Sequence, residues 1–178
     1  KILKNDHNIG AGLSRNKGIK NANGNLIAFI DADDFWYSEK IEKQIAYLDE
    51  KNLDFVFCDY LKKNGNKKKK IICNKKILKY ENLLYSCDIG LSTVLIKKNI
   101  ILNNPFPSLK TKEDFVAWLN ITKKGINPVK LNEILVEWNS VKGSLSSNIF
   151  QKVIDGYRVY RKFQNFNFLV SIYYLIIL

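Results

Sequence analysis

The sequence predicts an α/β fold, with a mostly parallel central sheet flanked by helices and a helical C-terminal tail. Three observations carry that prediction. An unbroken apolar run ends in acids, Leu26-Ile27-Ala28-Phe29-Ile30-Asp31-Ala32-Asp33-Asp34; an amphipathic stretch follows from Ser38 to Leu48; a second apolar run spans Asp54 to Asp59. With the glycine-rich helical segment before them they alternate helix, strand, helix, strand, the order that builds parallel sheets. The 178 residues, 46% hydrophobic, suffice for one domain with a real core.

Taken in order, Asn8-Ile9-Gly10-Ala11-Gly12 is a turn leading into a short helix, expected to be capped near Ser14 and ended by Gly24. Arg15 falls in its first turn, where a guanidinium beside free backbone N–H groups makes an anion receptor. The run from Leu26 is a strand whose carboxyl edge delivers the acids, the place where open α/β sheets bind ligands. Trp36 reads as a packing aromatic. In the next helix Ile41, Ile45 and Leu48 share the face turned to the sheet, and Ser38 stands ready to cap it. Strands from Asp54 to Leu61 and from near Ile71 flank an Asn64-Gly65 turn. Gly90 to Lys97 reads as a strand entering a short helix near Asn99 to Leu102. Lys112-Glu113-Asp114 opens another helix, with Phe115, Trp118, Leu119 and Thr122 on one face and Gly125 as its stop. Ile134 to Asn139 is a strand, and Gly143 to Asn148 a polar loop. The apolar tail, Phe168 to Leu178, falls short of the about 20 residues that cross a bilayer. With Arg158, Arg161 and Lys162 before it, it fits either a packed helix or a membrane-surface element.

The balance of 29 basic to 17 acidic residues gives a net charge of +12, which suits nucleic acid, an anionic membrane or phosphorylated substrates. Much of the excess lies in the run around Lys62 to Lys79, which reads as a solvated hairpin, because base recognition would want arginines interleaved with exposed aromatics. Cys58, Cys73 and Cys87 have neither metal-site spacing nor matching histidines, so a reduced cytosolic setting without zinc is expected. His7 stands alone in a polar turn, which leaves a Ser-His-Asp mechanism without a partner pattern.

Three carboxylates within four positions at a strand end repel one another and ask for a cation. Mg²⁺ or Mn²⁺, which takes one or two carboxylates plus the phosphates of a nucleotide, is the natural candidate. On these residues alone a solvated acidic turn remains open, as does simple helix-dipole capping for Glu113 and Asp114.

Asn8-Ile9-Gly10, Ser14-Arg15-Asn16-Lys17-Gly18-Ile19, Ala22-Asn23-Gly24 and Ile27 to Trp36 closely resemble, in order and spacing, the core of family 2 glycosyltransferases. Glu113-Asp114 with Trp118-Leu119 resembles the E-D-x-x-x-W-L segment of the same enzymes. The resemblance implies the Rossmann-like, A-type fold that binds nucleotide-diphospho-sugars. It makes Asp31 and Asp33 the D-x-D pair, with Asp33 on the metal, Asp31 near the nucleoside and the metal, and Asp34 in support. Arg15 would lie near the nucleotide, and Asp114 would be the catalytic base, with Glu113 and Trp118 assisting. Ser92 and Thr93 would border the acceptor. Where the family often has tyrosine-arginine, this chain has Trp138-Asn139.

The expected function is metal-dependent, inverting transfer of a sugar from a nucleotide-diphosphate donor to a glycan or lipid-linked acceptor in cell-surface polysaccharide synthesis, with Mn²⁺ or Mg²⁺. The setting would be cytoplasmic, at or near the inner membrane face, and no nucleic acid is expected. Residues 1–150 would be a partial catalytic domain and 151–178 a helical, membrane-proximal tail. With Lys1 first and no methionine, the chain reads as cut at its start, so that the family's opening strands and the nucleoside-binding acid they carry would precede Lys1. A non-catalytic or nucleic-acid-binding basic α/β domain is the alternative.

Overall fold

The computed structural model describes residues 1–140 and 148–178. Six strands form one sheet: β1 (Leu26–Ala28), β2 (Phe35–Trp36), β3 (Phe55–Asn64), β4 (Lys67–Ile71), β5 (Leu95–Lys97) and β6 (Val129–Asn139). Their order is β1-β5-β3-β6-β2, with β4 paired to the outer part of β3. The α/β class holds, but the sheet is mixed. Among the described pairings only β3 with β6 is parallel, because β5 enters between β1 and β3 running against both. The stretch that leads into β5, between Ile71 and Leu95, carries as helix only Tyr80–Leu83 and a short turn at Leu91–Thr93, too little to return the chain for a parallel insertion.

Helices cover the sheet: α1 (Ala11–Asn21), α2 (Lys40–Glu50), α3 (Tyr80–Leu83), α4 (Lys98–Leu102) and α5 (Glu113–Lys123). α1 begins one turn earlier than Ser14: its cap is Gly10 at φ 84, and the Ser14 hydroxyl donates back to the Gly10 carbonyl. It ends at Asn21, before Gly24. α2 also departs from expectation. Ser38 does not cap it, and the fully buried residues of its inner face include Lys40 and Gln44, while Ile41 and Ile45 are half-buried. The reason is what lies beneath: Gln44 Nε2 donates to the Thr93 carbonyl (2.8 Å) and its Oε1 accepts from Lys40 Nζ (2.7 Å), whose ammonium sits 4.1 Å from the Trp36 ring centre.

The lysine hairpin is present with its turn glycine, Gly65, at φ 58, but its second strand runs from Lys67 and ends at Ile71 rather than starting there, because the lysines themselves pair with Leu61 to Asn64. The main core collects around α5, where Phe115, Trp118, Leu119 and Ile121 are wholly buried. Three aromatic rings surround Trp118, with Phe55, Phe106 and Phe29 at 5.0, 6.0 and 6.5 Å between centroids. At the C-terminus α6 (Ile149–Arg158), a π-helical turn (Val159–Phe163) and α7 (Phe168–Ile177) fold back on this core, burying Val159 and Tyr160. Among the described residues no helix is long and apolar enough to cross a membrane. The polar loop expected from Gly143 lies, up to Ser147, outside the described residues; Asn148, its last member, caps α6 by accepting from the Gln151 N–H.

Candidate active site

Two acid-bearing segments, 82 positions apart between Asp31 and Glu113, come together in one cavity of about 570 Å³. β1 delivers Asp31, Asp33 and Asp34 in the turn beyond its carboxyl end, and the first turn of α5 delivers Glu113 and Asp114. Every site residue expected from the sequence lines this cavity except Trp118. Trp118 is 0% exposed; it supports the floor from within the core, and its burial excludes contact with an acceptor.

Arg15 joins the two acid sites. Its Nη2 lies 2.7 Å from Asp31 Oδ1 and its Nη1 2.5 Å from Glu113 Oε1. Burial would pull the guanidinium's pKa down, but the two carboxylates outweigh it and hold it above the ordinary arginine value. α1 can bring Arg15 this close because of Gly12, where an added Cβ would meet the Pro107 carbonyl at 2.9 Å and Glu113 Cγ at 3.1 Å. Asn16, next in sequence, fixes the same approach by donating to the Phe106 carbonyl (2.8 Å) and accepting from its N–H (3.0 Å). Because α1 starts at Ala11, Arg15 stands in its second turn rather than its first, and its charge is matched by two anions.

The acid turn is braced on both sides. Asp34 is the anchor: one carboxylate oxygen accepts from the Ser92 hydroxyl and the other from the Asn139 N–H (3.1 Å). Burial raises its pKa against the pull of those hydrogen bonds. Ser92 Oγ also accepts from the Asp31 N–H (3.1 Å), and the Asn139 side chain donates to the Asp33 carbonyl. Asn139, standing where an arginine was looked for, therefore braces the turn. Thr93 Oγ1 donates to the Gly90 carbonyl (2.6 Å), which leaves it a wall residue with its hydroxyl proton committed.

Asp114 differs from the other acids. Its carboxyl accepts the Phe115 N–H (2.8 Å) and is otherwise enclosed by protein except toward the cavity. This desolvation, with the charge of Glu113 adding to it, pushes its pKa up to about 6. Tyr60 also lines the cavity, but burial takes it to about 12. Glu113 is engaged by Arg15, so Asp114 is the group matched to accepting a proton near neutral pH. Lys112, just before it, holds a left-handed φ of 63, the backbone strain that turns α5 to point at the cavity.

No cluster of three metal-ligating side chains occurs among the described residues. What the acid turn presents is narrower. Asp34 is fully used, Asp31 shares an oxygen with Arg15, and the Asp33 carboxylate is exposed with no protein partner among the described residues. One available carboxylate, a second partly available, and room for phosphates fit a hard divalent cation that completes its shell with a diphosphate.

Sequence reasoning missed Lys110, Lys112 and Lys152, which line the cavity with Cys87. Lys110 and Lys112 closely precede the acid pair in sequence, and their position there was the available signal. Lys152 lies on α6 and had none.

This architecture is an α/β domain whose two acid sites meet in one cavity, and the comparisons place it in a family. The family model described as Glycosyl transferase family 2 matches residues 1–100. WfgD of Escherichia coli, a UDP-Glc:alpha-D-GlcNAc-diphosphoundecaprenol beta-1,3-glucosyltransferase, is 34% identical over 99% of this chain and 69% of its own length. TuaG of Bacillus subtilis (strain 168), provisionally named a teichuronic acid biosynthesis glycosyltransferase, is 32% identical over 92% of this chain and 66% of its own. The chain belongs to glycosyl transferase family 2, and it spans about two thirds of the length of these relatives. The crystal structure of S. aureus TarS 1-349 in complex with UDP-GlcNAc superposes with a TM-score of 0.72 at 20% identity, covering 98% of this chain and 54% of that one, and shares the fold.

Proposed function

We propose that this chain carries the catalytic centre of a metal-dependent, inverting glycosyltransferase that moves a sugar from a nucleotide-diphosphate donor to a lipid-linked or glycan acceptor in polysaccharide synthesis at the inner membrane face. The observation that carries the reading is the Arg15 bridge, which brings a donor-type acid turn and a base-type acid into one cavity. The name of WfgD supports a diphosphate-lipid acceptor, and the UDP-GlcNAc complex of TarS supports a nucleotide-sugar donor.

Asp33, with help from Asp31, would hold Mn²⁺ or Mg²⁺, which when bound supplies positive charge to the leaving diphosphate. Asp34, Ser92 and Asn139 keep the turn in place, so the carboxylates need no rearrangement to receive the donor. Asp114 takes the proton of the acceptor hydroxyl as its oxygen bonds to the anomeric carbon. The bond from that carbon to the diphosphate oxygen breaks on the opposite face, which inverts the configuration. Arg15 holds Glu113 away from competing for that proton and limits how far the pKa of Asp114 can rise.

The test is calorimetric binding of a nucleoside diphosphate to the natural gene product with and without Mn²⁺. Metal-dependent binding that Asp33→Ala removes is expected; equal binding without metal, or by the variant, rejects the metal assignment.

A further inference from the structure

We infer that α6 is an interfacial helix that sets the lysine-bearing rim of the cavity against an anionic lipid surface. At 100° per residue its side chains sort into three sectors. Ile149, Phe150, Val153 and Ile154 form one continuous stripe, and all four are exposed, Phe150 by 85% and Ile149 by 74%. The opposite sector is buried and polar. Asp155, 0% exposed, accepts from the Thr111 N–H (3.0 Å), the Thr111 hydroxyl (3.1 Å) and Gln151 Nε2 (2.9 Å), and its other oxygen accepts from Arg158 Nη1 (3.2 Å). Between the two sectors stands Lys152, an exposed residue that lines the cavity.

A carboxylate bonded by four donors locks the inner face of α6 onto Thr111, three residues from Asp114. Gly156 tightens the same junction: a Cβ there would strike Leu175 Cδ1 at 2.8 Å and contact the Lys112 side chain at 3.6 Å. The helix therefore presents its apolar stripe outward at an angle fixed by the catalytic loop. Leaving four large apolar side chains in water on a helix so firmly held is costly, so the stripe asks for an occupant.

Charge identifies it. Lys152 and Arg158 flank the stripe on its two sides, and exposed Arg161 and Lys162 follow one turn on. α7 extends the surface with exposed Phe168, Leu169 and Tyr173, joined to the α6 stripe through the Tyr157–Phe168 ring contact at 6.4 Å. An apolar stripe edged by cations matches the interface of an anionic bilayer, where apolar side chains enter the headgroup boundary and lysine or arginine meets phosphate. The inference rests on the transferase reading only for what the surface offers: a phosphate-bearing lipid acceptor would meet Lys152 at the cavity rim.

The experiment is co-sedimentation of the natural gene product with phosphatidylcholine vesicles with and without about one third phosphatidylglycerol, at low and high salt. Binding to the anionic vesicles, weakened by salt and reduced on the order of tenfold in Phe150→Ser/Val153→Ser, is expected. Both positions are exposed, and circular dichroism of the variant checks that it folds. Wild-type vesicle binding by the double variant overturns the inference. So does a wild-type dimer that the variant dissolves, since a second copy would then cover the stripe. Vesicle binding without sugar transfer keeps this inference and removes the proposed function; transfer to a lipid acceptor without vesicle binding does the reverse.

Discussion

Replacing Asp114 by asparagine should stabilise the fold at alkaline pH while disabling it as a catalyst. The carboxyl titrates at about 6, against an ordinary value of 3.8, because folding removes water from it and places Glu113 beside it. Each unit of such a shift is worth ~1.4 kcal/mol, so keeping Asp114 ionised in the folded state costs about 2–3 kcal/mol. The sign follows from proton linkage. Since the folded pKa lies above the unfolded one, the protonated form carries no penalty below about pH 4, the penalty grows between about pH 4 and 6, and it is complete above that. Asparagine has the same shape, can still accept the Phe115 N–H, and never pays the ionisation cost. For a chain of this length ~1 kcal/mol moves the melting temperature by about 2–4 °C, so Asp114→Asn should melt some 4–10 °C higher at about pH 8. Thermal denaturation followed by circular dichroism measures this, and the gain should shrink as the pH falls toward about 5. A variant no more stable than wild type at alkaline pH, or one with an equal gain at both pH values, would refute the argument that this carboxylate is held charged at a cost.

Arg15→Ala strips Asp31 and Glu113 of their shared cation. With Glu113 8% exposed and Asp31 more open, a loss of ~2–3 kcal/mol is expected, read as a lower denaturation midpoint. Removing this cation also lets Asp114 rise further, so any residual pH–rate profile should shift to higher pH; an unshifted profile would show that Arg15 does not act on the base. Lys40→Met probes the buried amine under Trp36, which burial holds down at about 8. Because its folded pKa lies below the unfolded value, wild type pays for the charge below about pH 8 and recovers that cost as the pH climbs toward about 10, by up to ~3 kcal/mol. The stability difference between wild type and Lys40→Met should follow that window; a pH-independent difference would show that Lys40 is not strained by its charge.

The sites were legible in the sequence because their chemistry is local. Asp31, Asp33 and Asp34 follow an apolar strand, and Glu113 and Asp114 open an amphipathic helix, patterns that survive in one dimension. What pairs them was not legible. Arg15 reads alone as an anion receptor, and only the approach permitted by Gly12 and clamped by Asn16 shows it to be a bridge between the two acid sites. The antiparallel entry of β5 was hidden because three residues carry no period by which direction could be judged. On α2 the apolar spacing of Ile41, Ile45 and Leu48 located the packed face only in part: Leu48 is buried with Ile45 beside it, but Lys40 and Gln44 are drawn further inward by the Thr93 carbonyl and the Trp36 ring. Trp118 kept its place in the motif, and only the packing shows it to be a support within the core, enclosed by three aromatic rings. Asp155 offered no signal, for its partner Thr111 lies 44 positions away.

The most direct test of the two-acid-site account compares sugar transfer with donor binding in Asp114→Asn. The natural gene product should transfer sugar from a nucleotide-diphosphate donor, and the variant should lose on the order of 10²–10⁴-fold in kcat with the donor Kd unchanged, the range expected when a general base is removed. Turnover by Asp114→Asn at the wild-type rate would contradict the account, because the cavity would then be transferring sugar without the carboxylate that Arg15 and Glu113 surround.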